Sequence, residues 1–129
     1  MEPFGIHLLI ELWSCNQEKL NSIDFIEEAM INAADYSGAT VLNSAFQNFS
    51  PQGGSGVVII AESHLTIHTW PEYGYAAVDV FTCGNKVDPW KASEYLEDAF
   101  ESESVEIIDI VRGQRHRLEN WSSNGNHGR

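Results

Sequence analysis

The segment Val57-Val58-Ile59-Ile60 constrains the fold more than any other part of this chain. Four consecutive β-branched residues read as a strand. Side chains along a strand alternate between the two faces of its sheet, so a strand with no polar residue on either face belongs in a sheet covered on both. Helical periodicity predicts only two helices to do the covering. One starts after Ser22, an N-cap residue, with Ile23, Ile26, Ala29, Met30 and Ala33 at helical spacing until Gly38 stops it. The other starts at Asp88-Pro89, an N-cap followed by proline at the first helical position, and presents Trp90, Tyr95, Leu96 and Phe100 as apolar contacts before ending near Glu101.

Extended segments are predicted at Ile6 to Trp13, Ala39 to about Phe49, Gly56 to Ala61, Leu65 to Thr69, Tyr75 to Phe81 and Val105 to Val111. Turn residues separate them at Pro51-Gln52-Gly53-Gly54 and at Pro71 to Gly74. The expected fold class is α+β, a two-layer α/β sandwich with an antiparallel-rich sheet. Two helices cover one face, and a second copy of the chain packed sheet against sheet would cover the other.

With 129 residues the chain is one domain, read as 1–112, followed by a tail over 113–129. That tail is Gly, Asn, Ser, His and Arg, expected to be mobile, with Trp121 as its one anchor. Acidic residues number 19 against 7 basic, a formal charge of -12. Phosphate binding needs clustered Lys and Arg, and only Arg112, Arg115 and Arg117 cluster, so no nucleic-acid partner is expected. An acidic surface does enrich a cationic substrate near a site mouth. Cys15 and Cys83 give no disulfide framework, and the N-terminus has neither a basic n-region nor an adequate h-region. The apolar stretches fall short of a membrane span, which makes the cytoplasm the expected location, with no membrane partner.

The run from Gly56 to Ile67 is interrupted by Ala61-Glu62-Ser63-His64, residues for which a buried strand has no use. His68 and Thr82-Cys83-Gly84 stand close by. Each candidate has an ordinary role beside a chemical one. His68 is either a base titrating near neutral pH or a buried histidine satisfied by backbone. The ordinary role of Cys83 is a small buried hydrophobe. The ordinary role of Phe49 is core packing and that of Glu72 a solvated turn. His64 and His68 form an H-x3-H pair, but that spacing gathers metal ligands on a helix, and Leu65 to Thr69 has strand character. No metal is therefore firmly implied. His7 and Glu11 share a strand face and are further site candidates.

Three segments in order, Ser55-Gly56-Val57-Val58-Ile59-Ile60, Glu62-Ser63-His64-Leu65-Thr66-Ile67-His68 and Tyr75 to Gly84, resemble the prokaryotic S-adenosylmethionine decarboxylases. These are pyruvoyl-dependent enzymes made as self-cleaving proenzymes, and the resemblance runs from Gly5 to about Arg112. It implies an αββα four-layer homodimer with sites close to the dimer interface. It also implies cleavage between Glu62 and Ser63, giving chains 1–62 and 63–129. Ser63 would become the pyruvoyl group, which forms a Schiff base with S-adenosylmethionine and replaces pyridoxal phosphate as electron sink.

In the family pattern His68 falls on the base of the elimination that follows cleavage, and Ser55 on the serine that assists the acyl shift. Cys83 falls on the donor that returns a proton to the substrate carbon. Phe49 falls on the adenine-stacking aromatic, with the ring of His68 on the other face of the base, and Glu72 on the acid that grips the ribose hydroxyls. The product implied is decarboxylated S-adenosylmethionine, the aminopropyl donor for spermidine synthesis.

One position departs from the pattern. Family members commonly carry a basic residue after the glycine equivalent to Gly5, and here Ile6 follows it. Related pyruvoyl proteins of this fold decarboxylate arginine or ornithine, so a free basic amino acid is the alternative substrate. Phe49, Glu72 and Trp70-Pro71-Glu72-Tyr73-Gly74 favour the nucleoside. A non-catalytic regulatory paralogue is a third reading, against which stand Ser63, His68 and Cys83, all present.

Overall fold

All six predicted strands are present and form one antiparallel sheet: β1 (Gly5–Trp13), β2 (Thr40–Asn48), β3 (Gly54–Ala61), β4 (Ser63–Trp70), β5 (Tyr75–Cys83) and β6 (Ser104–Arg112), in the order β2-β3-β4-β5-β1-β6. The computed structural model describes residues 3–123. Both predicted helices form as well, α2 (Ile23–Tyr36) and α3 (Pro89–Ala99). The Ser22 side chain accepts from the Phe25 N–H, and that of Asp88 accepts from the Trp90 N–H, so each helix begins where an oxygen satisfies an orphan amide.

Two further helices lie outside the sequence expectation. A single turn, α1 (Gln17–Leu20), is capped by Asn16, whose side chain accepts from the Lys19 N–H. It is too short for periodicity to register. In the C-terminal segment expected to be a mobile tail, Arg115–Ser123 form α4, with none of its residues buried. It follows Gly113, whose carbonyl accepts from the Phe4 N–H.

The core lies between the sheet and α2 with α3. Ile26, Met30 and Ala33 from α2 and Leu96 with Phe100 from α3 and its cap meet Leu8, Ile10, Val58, Ile60, Leu65, Ile67 and Val78, all buried. Val58 and Ile60 thus face the helices. Val57 and Ile59 point to the opposite face, which no helix of the described residues covers, and Ile59 is 43% exposed there. Strand register places Ile108 and Ile110, both exposed, on that same face opposite Leu9 and His7. The doubly apolar strand is therefore covered on one face within the chain. No helix of the described residues is long and apolar enough to cross a membrane.

Candidate active site

Ile60 pairs with Ser63, so Ala61 and Glu62 are the two-residue loop of the β3–β4 hairpin. The polar interruption is a chain reversal, the one place where this strand pair needs no apolar side chain. Ser63 has φ +105°. A residue with a Cβ enters that region at a cost of about 1–3 kcal/mol, so backbone strain sits at the residue that follows the Glu62 carbonyl. The Ser63 hydroxyl lies 3.4 Å from Nδ1 of His64. On its other side Ser63 pairs with Thr82, which makes Cys83 the next residue along β5. Glu62 and Cys83 line one cavity of about 470 Å³ together with Phe4, Gly84 and Arg115. The Arg115 guanidinium lies over the Phe4 ring at 4.5 Å.

A second group gathers at the other end of the same strands. Ser55 pairs directly with His68 across β3 and β4, both on the uncovered face. The His68 ring stacks on Trp70, with centroids 3.8 Å apart and planes 24° from parallel, and meets Phe49 edge-on at 5.5 Å and 73°. Phe49, Ser55, Val57 and Thr66 line another cavity of about 470 Å³. Glu72 is exposed, in the 3₁₀ turn Pro71–Tyr73 that follows Trp70. A flat base held between two rings sets their centroids about 7 Å apart with planes parallel. Phe49 and His68 are closer and nearly perpendicular, and Trp70 already covers one face of the imidazole. Phe49 is 44% exposed, so its ring has room to turn.

Within one chain these two groups stay apart. Ser63 and His68 stand five positions apart on β4, and at about 3.3 Å per residue an extended strand separates them by about 16 Å. Ser63 and Cys83 form one half of the predicted set. Ser55, His68 and Phe49, with Glu72 beyond them, form the other.

Between the halves the uncovered face carries polar and aromatic contacts that sequence reasoning did not assemble. His7 Nε2 lies 3.3 Å from Asp79 Oδ1, and the Thr66 hydroxyl donates to Asp79 Oδ2 at 2.9 Å. An Arg112 N–H points at His7 Nδ1 at 3.5 Å. Arginine cannot accept, so in this arrangement His7 accepts at Nδ1 and donates from Nε2. The Tyr75 hydroxyl donates to the Glu11 carboxylate. Burial pushes the Tyr75 phenol up to about 12, helped by the hydrogen bond and negative charge of Glu11 and by the charge of Asp79. His7 and Glu11 are thus both engaged on the site face, held by partners distant in sequence. The available signal was the alternation His64, Thr66, His68, Trp70, which puts four polar or aromatic side chains on one face of β4.

Ile6 packs toward the helices and the core, between Thr82 on β5 and Val111 on β6. It stands in the same cross-strand row as Ser63, with Thr82 between them. Two strand spacings make that about 10 Å. Among the described residues no group of three or more His, Cys, Asp and Glu side chains is placed to hold a metal ion.

Residues 6–113 match the family described as S-adenosylmethionine decarboxylase. The chain is 54% identical over 114 residues to the S-adenosylmethionine decarboxylase proenzyme of Thermosipho africanus (strain TCF52B), covering 88% of each protein. It is 54% identical over 113 residues to the protein of the same name from Clostridium kluyveri (strain ATCC 8527 / DSM 555 / NBRC 12016 / NCIMB 10680 / K1), covering 88% of this chain and 90% of that one. The crystal structure of the adenosylmethionine decarboxylase from Aquifex aeolicus VF5 superposes with a TM-score of 0.83 at 33% identity, over 88% of this chain and 94% of that one.

Proposed function

Because this chain belongs to the S-adenosylmethionine decarboxylase family, we propose that it cleaves itself between Glu62 and Ser63 and then decarboxylates S-adenosyl-L-methionine to S-adenosylmethioninamine and carbon dioxide, using a pyruvoyl group made from Ser63. The observation that carries this reading is the left-handed backbone of Ser63 at a hairpin loop, beside Cys83. An aliphatic hydroxyl is a poor nucleophile toward an amide. Strain released on attack, and a carbonyl held at a tight loop, lower that barrier.

The Ser63 hydroxyl oxygen bonds to the Glu62 carbonyl carbon, and the peptide C–N bond breaks. The result is an ester and a free amine on Ser63. His68 then takes the α-proton of Ser63, the Cβ–O bond breaks, and the Glu62 carboxylate leaves. The dehydroalanine left behind tautomerises and is hydrolysed, losing ammonia and leaving a ketone at the new chain start. That pyruvoyl group supplies an electron sink for the bond to the leaving carboxylate. Cys83, one residue past the Ser63 partner Thr82, returns a proton to the substrate carbon in this reading. Ser55 assists the acyl shift from its position opposite His68. Phe49 and Glu72 bind the adenine and the ribose hydroxyls.

One chain cannot bring His68 to its own Ser63 across about 16 Å of strand. A homodimer can. A two-fold axis running between two facing sheets, across the strands, reverses β4 and sets the His68 end of one copy over the Ser63 end of the other. Packing the uncovered faces together also buries Ile59, Ile108 and Ile110. The αββα dimer and the composite site are therefore one proposal.

Mass spectrometry of the purified protein tests the chemistry. The expected products are chains 1–62 and 63–129, the second with its N-terminus blocked as pyruvoyl. A full-length chain that persists through prolonged native incubation would overturn the reading.

A further inference from the structure

His68 does not stand alone on the uncovered face: it ends a stack of four rings. Its imidazole lies flat on Trp70 at 3.8 Å and 24°. Trp70 lies on Tyr75 at 5.1 Å and 25°, and Tyr75 on Trp13 at 4.3 Å and 24°. The rings come from β4, β5 and β1. Trp70 reaches His68 because residues two apart on a strand share a face, and it reaches Tyr75 because the two pair across the β4–β5 hairpin. The far end of the stack is tied down. Tyr75 donates its hydroxyl to Glu11, and Trp13 donates Nε1–H to Glu106 Oε1 at 3.0 Å.

We propose that Trp70 is the positioning residue for His68: its indole face, held in place by Tyr75 and Trp13, fixes the imidazole plane for removal of the Ser63 α-proton. The proposal rests on His68 being the elimination base. An imidazole is joined to the backbone through two rotatable bonds, and no hydrogen-bonding partner of the His68 ring is seen among the described residues. Its ring neighbours are the Phe49 edge at 5.5 Å and the Trp70 face at 3.8 Å, and of these two the parallel Trp70 face is the one that fixes the imidazole plane. When His68 takes the proton it becomes a cation, and an indole face is the best aromatic neighbour for a cation. The face of the imidazole not covered by Trp70 remains for the substrate. Misplacing a proton-transfer group by about 1 Å costs on the order of 100-fold in rate.

Maturation kinetics separate this role from a merely structural one, because the acyl shift precedes the step that needs His68. Full-length Trp70→Leu, Trp70→Phe and His68→Ala proteins are purified and followed by intact mass, with and without hydroxylamine. Hydroxylamine cleaves the Ser63 ester and spares the amide. The expected result is that Trp70→Leu reaches the ester, is split by hydroxylamine, and forms pyruvoyl about 10- to 100-fold more slowly than the parent. Trp70→Phe keeps a flat face and should mature within a few-fold of the parent rate.

A Trp70→Leu protein that matures at the parent rate, while His68→Ala stalls at the ester, would overturn this inference alone. So would Trp70→Leu that resists hydroxylamine as an intact amide, since the defect would then precede elimination. Equal stalling of Trp70→Phe and Trp70→Leu would also overturn it, because the flat face would not be what matters. If His68→Ala itself matures normally, the base assignment fails and this inference fails with it.

Discussion

Ser55 and His68 are direct partners across β3 and β4, while Ser63, on the same strand as His68, sits at its opposite end. A site that needs His68 at Ser63 must therefore borrow one of them from a second copy.

Mixed dimers test that borrowing. Ser63→Ala homodimers should remain full length for want of a nucleophile, and His68→Ala homodimers should stall at the ester. In a mixed dimer the His68→Ala chain keeps its Ser63 and faces an intact His68 on its partner. Co-expression of two differently tagged variants should therefore yield cleaved, pyruvoyl-blocked product from the His68→Ala chain only. If no chain matures in the mixture, although mixed dimers are isolated through both tags, the composite site is wrong.

The dimer itself should break at the exposed isoleucines of the uncovered face. Ile108 is 62% exposed in the single chain, so Ile108→Asp costs little within the protomer. An unpaired carboxylate pressed into an apolar interface is costly, by several kcal/mol. Sedimentation should show Ile108→Asp as a monomer at micromolar concentration, with an unchanged circular dichroism spectrum and loss of cleavage. A folded monomer that still cleaves at the parent rate would separate the chemistry from assembly.

Much of this arrangement was legible in the sequence, and the parts that were not share a physical reason. Apolar and β-branched runs bounded by turn residues located all six strands, and Ser22 and Asp88 marked the starts of both long helices because caps are local. The turn α1 and the helix α4 were missed. The first is four residues long, and the second presents no buried stripe for periodicity to detect. Ser63 and Cys83 could be singled out from motif and spacing; the distance of Ser63 from His68 follows from the extended strand they share, and that of Cys83 from the β4–β5 pairing. A hairpin at Ala61-Glu62, not a bend in one strand, sets the β3–β4 register that puts Ser55 opposite His68. The contact of His7 with Asp79 joins residues far apart in the chain, and no local pattern announces it.

Tyr75 gives a pH signature of the uncovered face. Its phenol is pushed up to about 12, chiefly by burial and then by Glu11. Because the folded value lies above the ordinary value of 10.0, the folded state holds the proton more tightly. The stability it contributes is whole below pH 10 and is lost as pH rises through about 12. Of the four tyrosines, one should ionise late in an ultraviolet absorbance titration, and Tyr75→Phe should remove that late step. A parent protein whose tyrosines all titrate together near pH 10 would show that Glu11 and Tyr75 do not hold one another in solution.

In the proposed mechanism Cys83 is needed only once the pyruvoyl group exists, so Cys83→Ala should still process to two chains. Its turnover should fall by about 10²- to 10⁴-fold, the usual range for a lost proton donor. Without a donor aimed at the substrate carbon, protonation goes to the cofactor carbon instead, and intact mass should show the pyruvoyl N-terminus converting to alanine during turnover. Full activity in Cys83→Ala, with no alanine formed, would return this thiol to a packing role at the end of β5.

The choice of substrate turns on Ile6, Phe49 and Glu72. Ile6 occupies the row of Ser63 but packs toward the helices and the core, so an apolar residue there removes a charge near the processing bond without lining the Phe49 cavity. In the proposed site Phe49 and Glu72 address parts of a nucleoside substrate that do not react, and their binding energy can be spent on placing the carboxylate for loss. Free arginine or ornithine offers neither a base to stack nor ribose hydroxyls to bind. Carbon dioxide release from S-adenosylmethionine should therefore exceed that from arginine or ornithine in side-by-side assays. Glu72→Gln keeps the shape but weakens a charge-assisted contact of about 1.5–3 kcal/mol, so kcat/KM for the nucleoside substrate should fall by roughly 10- to 100-fold with cleavage intact. If arginine or ornithine proves the better substrate, and Glu72→Gln leaves its turnover unchanged, the pyruvoyl chemistry stands and the substrate assignment passes to the basic amino acid, with Ile6→Lys the first reversion to make.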